Sequence, residues 1–566
     1  MTRDRARIAF GFVVAALALA ASANSIANGF VMDDVHLIEK SARMHTMAGW
    51  WREMAHTYWP EIWGGDGYRP LTIIGFRLQW VLGGGKPLIF HAVNIVLHVV
   101  GAVAVFWLAL GVLPLAAAFV AASLYAVHPV HVEAVANVVG QSELWVVLLG
   151  TLALGLFVHG RRAGPMSWQR WTVIGALYAV AMLFKEHAIV LPALILLAEF
   201  TVTPDRLSFS ERVARLRLPI LLLGLLGVLY LWARSVVVMS GLGGFVPYIV
   251  FQALDLSNTN RILTMVGATP EWLRLLLWPA RLMTDYAPPY VDIAQGISAS
   301  QLPGLLMLVG TLGLLIVCWR RSPTTSFGIG WFVIALLPAS NFIVPAGFII
   351  AERTLFLPSV GAMIAIASAV PRLYELTERH RVAEIALMFA FIVLVALGLT
   401  RSINRNEVWR TEEALFRQGV VDSPQSYRGH VLLAVHLFDT NRKIEGEMHY
   451  RRAIDLFPYD PMMLYDMAER YRGAGMCDPA TTLYRWLFTI RPDFRLGHIG
   501  YSSCLLSMLD LDHARDEALR SIEHGGRYKD ARAILRTVME VRDTIAARRA
   551  RGDSVPGLRP SGSPRQ

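Results

Sequence analysis

The sequence predicts an all-α chain in two parts, a polytopic membrane domain of about eleven spans and a C-terminal solenoid of paired helices. Three observations predict it. Apolar residues fill 55% of the 566 positions and charged residues only 17%, too few charges to cover a soluble surface of this size. The apolar residues arrive in blocks that can cross roughly 30 Å of hydrocarbon, and the blocks end at Thr400. Beyond Arg401 the chain turns charged and amphipathic, and Pro424, Pro458 and Pro492 recur every 34 residues. The expected divisions are a membrane domain at 1–400, a helical repeat domain at 411–549 and a Pro-, Gly- and Ser-rich disordered tail at 550–566.

Taken in order, the spans read as 8–27, 87–111, 115–133, 142–159, 170–184, 187–203, 218–238, 302–319, 326–344, 354–370 and 382–400. The first is followed by small residues in the manner of a cleaved signal peptide, but the spans behind it favour an uncleaved helix. Arg3, Arg5 and Arg7 place the N-terminus in the cytoplasm. The basic loops at 160–170, 204–217, 320–325 and 371–381 then share that side, the positive-inside pattern. The same pattern argues against a nucleic-acid partner, because the net charge of +10 is spread over loop ends and not gathered in one patch. An odd number of spans puts the C-terminal domain on the opposite face. Ile262 to Leu282 is apolar, but Pro270, Glu271 and Arg274 make it a poor span, and it reads as an interfacial or re-entrant helix. The Ala-, Arg- and Gly-rich composition points to a bacterial inner membrane facing a periplasm.

Polar residues that a spanning helix should avoid gather on the non-cytoplasmic side of this topology. Asp33 and Asp34 follow the first span; His128, His131 and Glu133 close the third; Lys185 and Glu186 lie between the fifth and sixth; Asn341, Glu352 and Arg353 lie between the ninth and tenth. Ionisable groups at membrane depth are costly, so four clusters on one side suggest a site. Loop ends carry charge in any case, which accounts for one cluster better than for four. The Trp-rich stretch with Trp50, Trp51, Trp59 and Trp63 suits an amphipathic element in the headgroup layer.

The 34-residue period is that of tetratricopeptide (TPR) repeats. Small and aromatic positions recur with the prolines: Ala434 and Ala468; Gly446, Ala480 and Ala514; Tyr450 and Tyr484. Three units are expected at 427–460, 461–494 and 495–528, preceded by a helix from Thr411 and followed by a capping helix to about Arg549. Such solenoids bind peptides or proteins in a groove, or act only as spacers. Cys318, Cys477 and Cys504 have no metal spacing; a Cys477–Cys504 disulfide is open in an oxidising compartment.

The run from Asp33 to Gly361 carries a set of motifs in order. They are Asp33-Asp34; Tyr68-Arg69-Pro70-Leu71-Thr72; Phe90-His91-Ala92-Val93-Asn94 to His98; His128-Pro129-Val130-His131-Val132-Glu133 with Gly140 and Glu143; Lys185-Glu186; and Ser340-Asn341 through Ala351-Glu352-Arg353 to Ser359. In these the chain resembles the transmembrane and TPR-repeat-containing glycosyltransferase family, whose animal members are protein O-mannosyltransferases of GT-C fold. It departs from the family at Gln141, where arginine usually follows the glycine, and in its short repeat array. The resemblance implies a polyprenyl-phosphate sugar as donor, a hydroxyl of an extracytoplasmic protein as acceptor, and inversion at the anomeric carbon. It makes Asp33 or Asp34 the base that takes the acceptor proton, with Asp33 ranked first, and makes Arg353, Lys185 and Arg69 the cations that meet the departing phosphate.

His91, Asn94 and His98 share a helix face and either hydrogen-bond the donor or bond within the bundle. Glu186, Asn341, Glu352, His128, His131 and Glu133 complete the substrate-binding set, and Glu352 is expected to orient Arg353. No metal is assigned, although His128, His131 and Glu133 are the residues that would hold a divalent ion. The competing readings are a transporter or flippase, since intramembrane His, Lys and Glu also mark ion pathways, and a non-catalytic TPR scaffold.

Overall fold

Backbone polar groups in hydrocarbon must satisfy one another, so each apolar block folds as helix. The computed structural model describes residues 2–60, 66–203, 207–239, 248–377, 380–525 and 528–551, and among these there is no strand. Of the tail expected to be disordered at 550–566, residues 552–566 lie outside the described residues, as do Trp63, Arg206 and Arg379, while Ala550 ends a helix. The chain divides into two compact units, Met1–Tyr248 with Ser257–Gly429, and Ile249–Leu256 with His430–Gln566.

In the first unit the helices are α1 (Arg3–Ser22), α2 (Pro70–Gly83), α3 (Pro87–Leu110), α4 (Leu115–Ala126), α5 (Val132–Ala136), α6 (Gln141–Ala163), α7 (Trp168–Phe184), α8 (Leu191–Thr201) and α9 (Phe209–Val238). After α10 (Ile249–Ala253) come α11 (Asn258–Leu277), α12 (Leu302–Arg321), α13 (Pro323–Leu336), α14 (Phe356–Ala367), α15 (Val370–Thr377), α16 (Arg381–Val408) and α17 (Glu412–Asp422). Their starts are written locally. Pro70 and Pro87 stand at the first helical positions of α2 and α3, where a missing N–H loses nothing. Ser208 and Glu211 close a capping box on α9. Gly84, at φ +58°, ends α2 in the left-handed region that suits glycine.

The chain is an integral membrane protein. Among the described residues, seven helices are long and apolar enough to cross a bilayer, or eight if α4 and the Pro129–Ala136 turn, bent by 47°, make one broken span. The eleven spans of the sequence reading would need three shorter helices as well: α7 with 17 residues, α8 with 11 and α13 with 14. Within the bundle, α3, α6 and α14 are largely buried, whereas α12 and α16 present leucine, isoleucine and valine outward, as lipid-facing helices do. Helices α13 and α14 approach closely at Gly328 and Gly361: a Cβ on either would lie 2.5 Å from the other's carbonyl oxygen. Small residues allow this backbone contact where no hydrophobic force joins helices in lipid.

The second unit is a run of antiparallel pairs. Helices α18 (Tyr427–Asp439), α20 (Pro461–Gly473) and α22 (Arg495–Ser507) alternate with α19 (Lys443–Leu456), α21 (Cys477–Ile490) and α23 (Leu511–Glu523), before α24 (Tyr528–Ala550). The first helices of successive pairs start 34 residues apart, at Tyr427, Pro461 and Arg495. Gly446, Ala480 and Ala514 are buried where paired helices meet. Tyr450 donates to Asp466, and Tyr484 to Glu469, fastening one helix to the next. Cys477 and Cys504 are disulfide-bonded, with their Cα atoms 5.2 Å apart.

Candidate functional site

The two adjacent aspartates have opposite surroundings. Asp34 is fully buried, and its carboxylate accepts three backbone N–H bonds: Val139 at 2.8 Å, Val138 at 3.1 Å and Val31 at 3.4 Å. It pins the loop after α1 to the turn before α6. Asp33 is half-buried, and its side chain makes no hydrogen bond or ion pair among the described residues. Met32, just before it, sits at φ +52°, a costly conformation for a side chain of that kind and one that concentrates at functional sites.

Three cations stand close by, each with a carboxylate. Arg353 donates its backbone N–H to Glu133 Oε2 at 2.9 Å and its Nη1 to Glu133 Oε1. Lys185 Nζ pairs with Glu143, and the His187 ring lies 3.2 Å from the other Glu143 oxygen. Arg69 grips Glu186 with two parallel bonds, 2.9 and 2.6 Å, and lies over the Tyr58 ring at 4.6 Å. These pairs form one electrostatic cluster. Arg353 feels both Glu133 and Asp33; Lys185 feels Glu143, Arg69, Glu186 and Arg353; Tyr58 feels Arg69 and both aspartates. Asp33 and Arg353, 320 positions apart (353 − 33), therefore act on one another.

Glu352 does not orient Arg353. Its Oε1 accepts the Met283 N–H at 2.6 Å and the Tyr286 hydroxyl at 2.8 Å, and lies 4.0 Å from Arg405. Neighbours in a tight helical turn project to different sides, so Glu133 takes the orienting place. The α3 residues bond within the bundle: His91 to Gly29 O at 3.3 Å, Asn94 to Val135 O and Asn137 O at 3.1 and 3.2 Å, His98 to Ala126 O at 3.1 Å. Asn341, at φ +57°, holds its own loop through Ala346 N–H and Phe348 O.

Gln141, where the resembled family has arginine, is buried in an amide ladder with Gln79 and Asn94. His128 bonds Leu276 O and His131 bonds Ser359, each at 2.9 Å, while Glu133 serves Arg353. The three do not converge, and among the described residues no group of three His, Cys, Asp or Glu side chains is drawn together as a metal would need.

Sequence reasoning missed Tyr58 and His187, and gave Glu143 no part in the site. Glu143 lies within the quoted motif and was within reach. Tyr58 and His187 carry no signal, because only the tertiary fold brings them to Arg69 and Lys185.

Two carboxyls of the cluster shift in opposite directions. Burial pushes Asp34 from 3.8 up to about 8, against its three N–H bonds. The fold thus keeps a proton that the unfolded chain has lost, and this stabilisation, complete below about pH 4, disappears as pH rises through about 8. Burial also opposes ionisation of Glu186, but the Arg69 guanidinium outweighs it and holds that carboxyl well below its ordinary value. Its stabilisation is complete above about pH 4.5 and disappears as pH falls. The thermal midpoint of the solubilised protein should therefore peak at about pH 4–4.5 and fall from there toward pH 8. Asp34→Asn should flatten the alkaline limb and Glu186→Gln the acid limb. A wild-type midpoint level from about pH 5 to 8 would contradict the buried acid.

No protein-family model matches the chain. It is 26% identical over 576 residues to the mouse protein O-mannosyl-transferase TMTC3, covering 88% of this chain and 62% of that protein. It is 29% identical over 497 residues to the human protein O-mannosyl-transferase TMTC4, covering 77% and 65%, and 29% identical over 478 residues to the Drosophila melanogaster protein O-mannosyl-transferase Tmtc3, covering 70% and 50%. The chain thus spans less than two thirds of the length of these relatives. Among solved structures it is similar to the archaeal oligosaccharyltransferase AglB from Archaeoglobus fulgidus, in complex with an inhibitory peptide and a dolichol-phosphate, with a TM-score of 0.38 and 13% identity over 80% of this chain and 60% of that one.

Proposed function

We propose that this chain, like the O-mannosyl-transferases it is similar to, is a membrane glycosyltransferase of the GT-C type. It moves a sugar, mannose by analogy, from a polyprenyl-phosphate carrier to a hydroxyl of a protein acceptor on the extracytoplasmic face. Its membrane domain, 1–400, holds the chemistry, and its TPR-like domain, 411–549, selects or presents the acceptor. One observation carries the reading: of two adjacent carboxylates one is locked by backbone and the other is left unbonded within the field of a cation.

The chemistry follows from those groups. The acceptor oxygen attacks the anomeric carbon while Asp33 takes its proton. The bond from that carbon to the phosphate oxygen breaks, and the polyprenyl phosphate leaves with the electron pair. Arg353 and Lys185 meet the growing charge; Arg353 commits one guanidinium nitrogen to Glu133, leaving others for phosphate oxygens. A single displacement inverts the anomeric carbon. The disulfide Cys477–Cys504 supports an oxidising, extracytoplasmic setting for the repeats.

The test is reconstitution. Purified chain in lipid nanodiscs, given a mannosyl-phosphoryl-polyprenol and envelope proteins from a strain lacking the chain, should add hexose to Ser or Thr residues, seen by mass spectrometry. Absence of any hexose transfer from mannosyl, glucosyl and galactosyl donors alike would sink the assignment.

A further inference from the structure

A cavity of about 630 Å³, lined by neither Asp33 nor Asp34, lies between α11 and the irregular segment 290–301. Its volume is that of a ligand site. Helix α11 supplies one wall with Thr264, Gly267 and Glu271, and Tyr290, Asp292 and Gln295 supply the other. The walls are built: Tyr290 donates to Glu271 at 3.0 Å, and Thr264 Oγ1 accepts the Ala294 N–H at 3.0 Å. The segment's backbone is otherwise unspent. Among the described residues, Val291, Asp292, Ile293 and Gln295 make no backbone hydrogen bond, although Val291 is buried. Of these, the buried main-chain groups of Val291 call for a partner, and a peptide strand laid along the segment supplies one.

The charge of the walls restricts that partner. Glu271 and Asp292 are the charged lining residues, both acidic; Glu271 is neutralised by Arg274, and Asp292 is exposed without an ion pair among the described residues. The far face of α11 reaches the reacting centre's surroundings. Leu276 O meets His128 at 2.9 Å, Trp272 lies beside Phe342, and Arg261 donates to Asn341 O.

We propose that this cavity seats the acceptor as a peptide strand, neutral or basic and bearing hydroxyl side chains, and that Asp292 turns acidic strands away. The proposal rests on the glycosyltransferase reading above and specifies its acceptor. Gly267 offers the clean perturbation, since a Cβ there would meet only Ser300 O, at 3.9 Å; a larger side chain fills the cavity without disturbing the helix.

The experiment measures binding, not transfer. Full-length chain in nanodiscs is titrated against a fluorescent nonapeptide of alternating valine and threonine carrying two lysines, and against the same peptide with two glutamates. The lysine peptide should bind about tenfold tighter, a gap that salt narrows. Asp292→Lys should reverse the order, and Gly267→Leu should weaken both by about tenfold or more with an unchanged thermal midpoint. Equal affinity for both peptides, failure of the lysine peptide to bind, or displacement by methyl mannoside in place of peptide overturns the proposal. Asp292→Lys, on the exposed rim, keeps the test decisive should Gly267→Leu not fold. If wild type transfers sugar but peptide binding ignores both substitutions, the cavity assignment falls alone. If binding behaves as stated and no donor yields transfer, the glycosyltransferase reading falls alone.

Discussion

Asp33→Asn should reduce sugar transfer by about 10²–10⁴-fold, the usual worth of a positioned general base, with no loss of thermal stability. The amide has the shape of the carboxylate but cannot accept the acceptor's proton. Stability should hold because the Asp33 side chain makes no hydrogen bond or ion pair among the described residues. Its neighbour should behave in the opposite way. Asp34→Asn sets an NH₂ group against N–H donors that approach both carboxylate oxygens, from Val31 and Val138 on one and Val139 on the other. A donor facing a donor in a buried site costs about 1–3 kcal/mol, so the thermal midpoint should drop and activity should fall with it as the loop loosens. The pair of measurements, initial transfer rate at saturating donor and midpoint in detergent, separates the two roles. Retained transfer in Asp33→Asn removes the carboxylate mechanism. Equal destabilisation by both substitutions removes the division of labour between the two aspartates.

How much of this was readable in the chain depends on distance along it. The repeats were readable because a 34-residue period is local: Pro424, Pro458 and Pro492 fall near helix ends, and first helices begin at Tyr427, Pro461 and Arg495. Apolar blocks were readable for the same reason. The breaks inside them were less so, since in the run 115–133 apolar residues resume at Val130 and Val132 beyond His128-Pro129, so the block reads as one span although the α4 helix ends there. The acidic pair could be singled out, but not divided, because what divides it comes from Val138 and Val139, 104 and 105 positions onward. Likewise Glu352 is adjacent to Arg353, and adjacency suggested a partnership; the partner is Glu133, 220 positions earlier. Charge types announce a site, while pairings belong to the tertiary fold.

Glu133 leads to the second large effect. Its two oxygens hold Arg353 twice, by backbone N–H and by guanidinium, and its side chain is only 5% exposed against 26% for the arginine. Arg353→Gln should lower kcat by about 10²–10³-fold if the guanidinium meets charge on the leaving phosphate, because that charge grows only as the bond breaks. It should also destabilise the fold by about 2–4 kcal/mol, leaving a nearly buried carboxylate with one backbone donor. Glu133→Gln leaves the more exposed partner, which water can reach, so its stability loss should be the smaller of the two. Its kinetic effect should also be smaller, since the cation remains but is no longer held in one pose. Combining the two substitutions should cost little more than Arg353→Gln alone, as members of one unit are not additive. Arg353→Lys keeps the charge without the fork, and should recover stability more fully than rate. Full additivity in the double variant would mean that Glu133 does not act through Arg353; an unchanged kcat in Arg353→Gln would take the arginine out of the reaction.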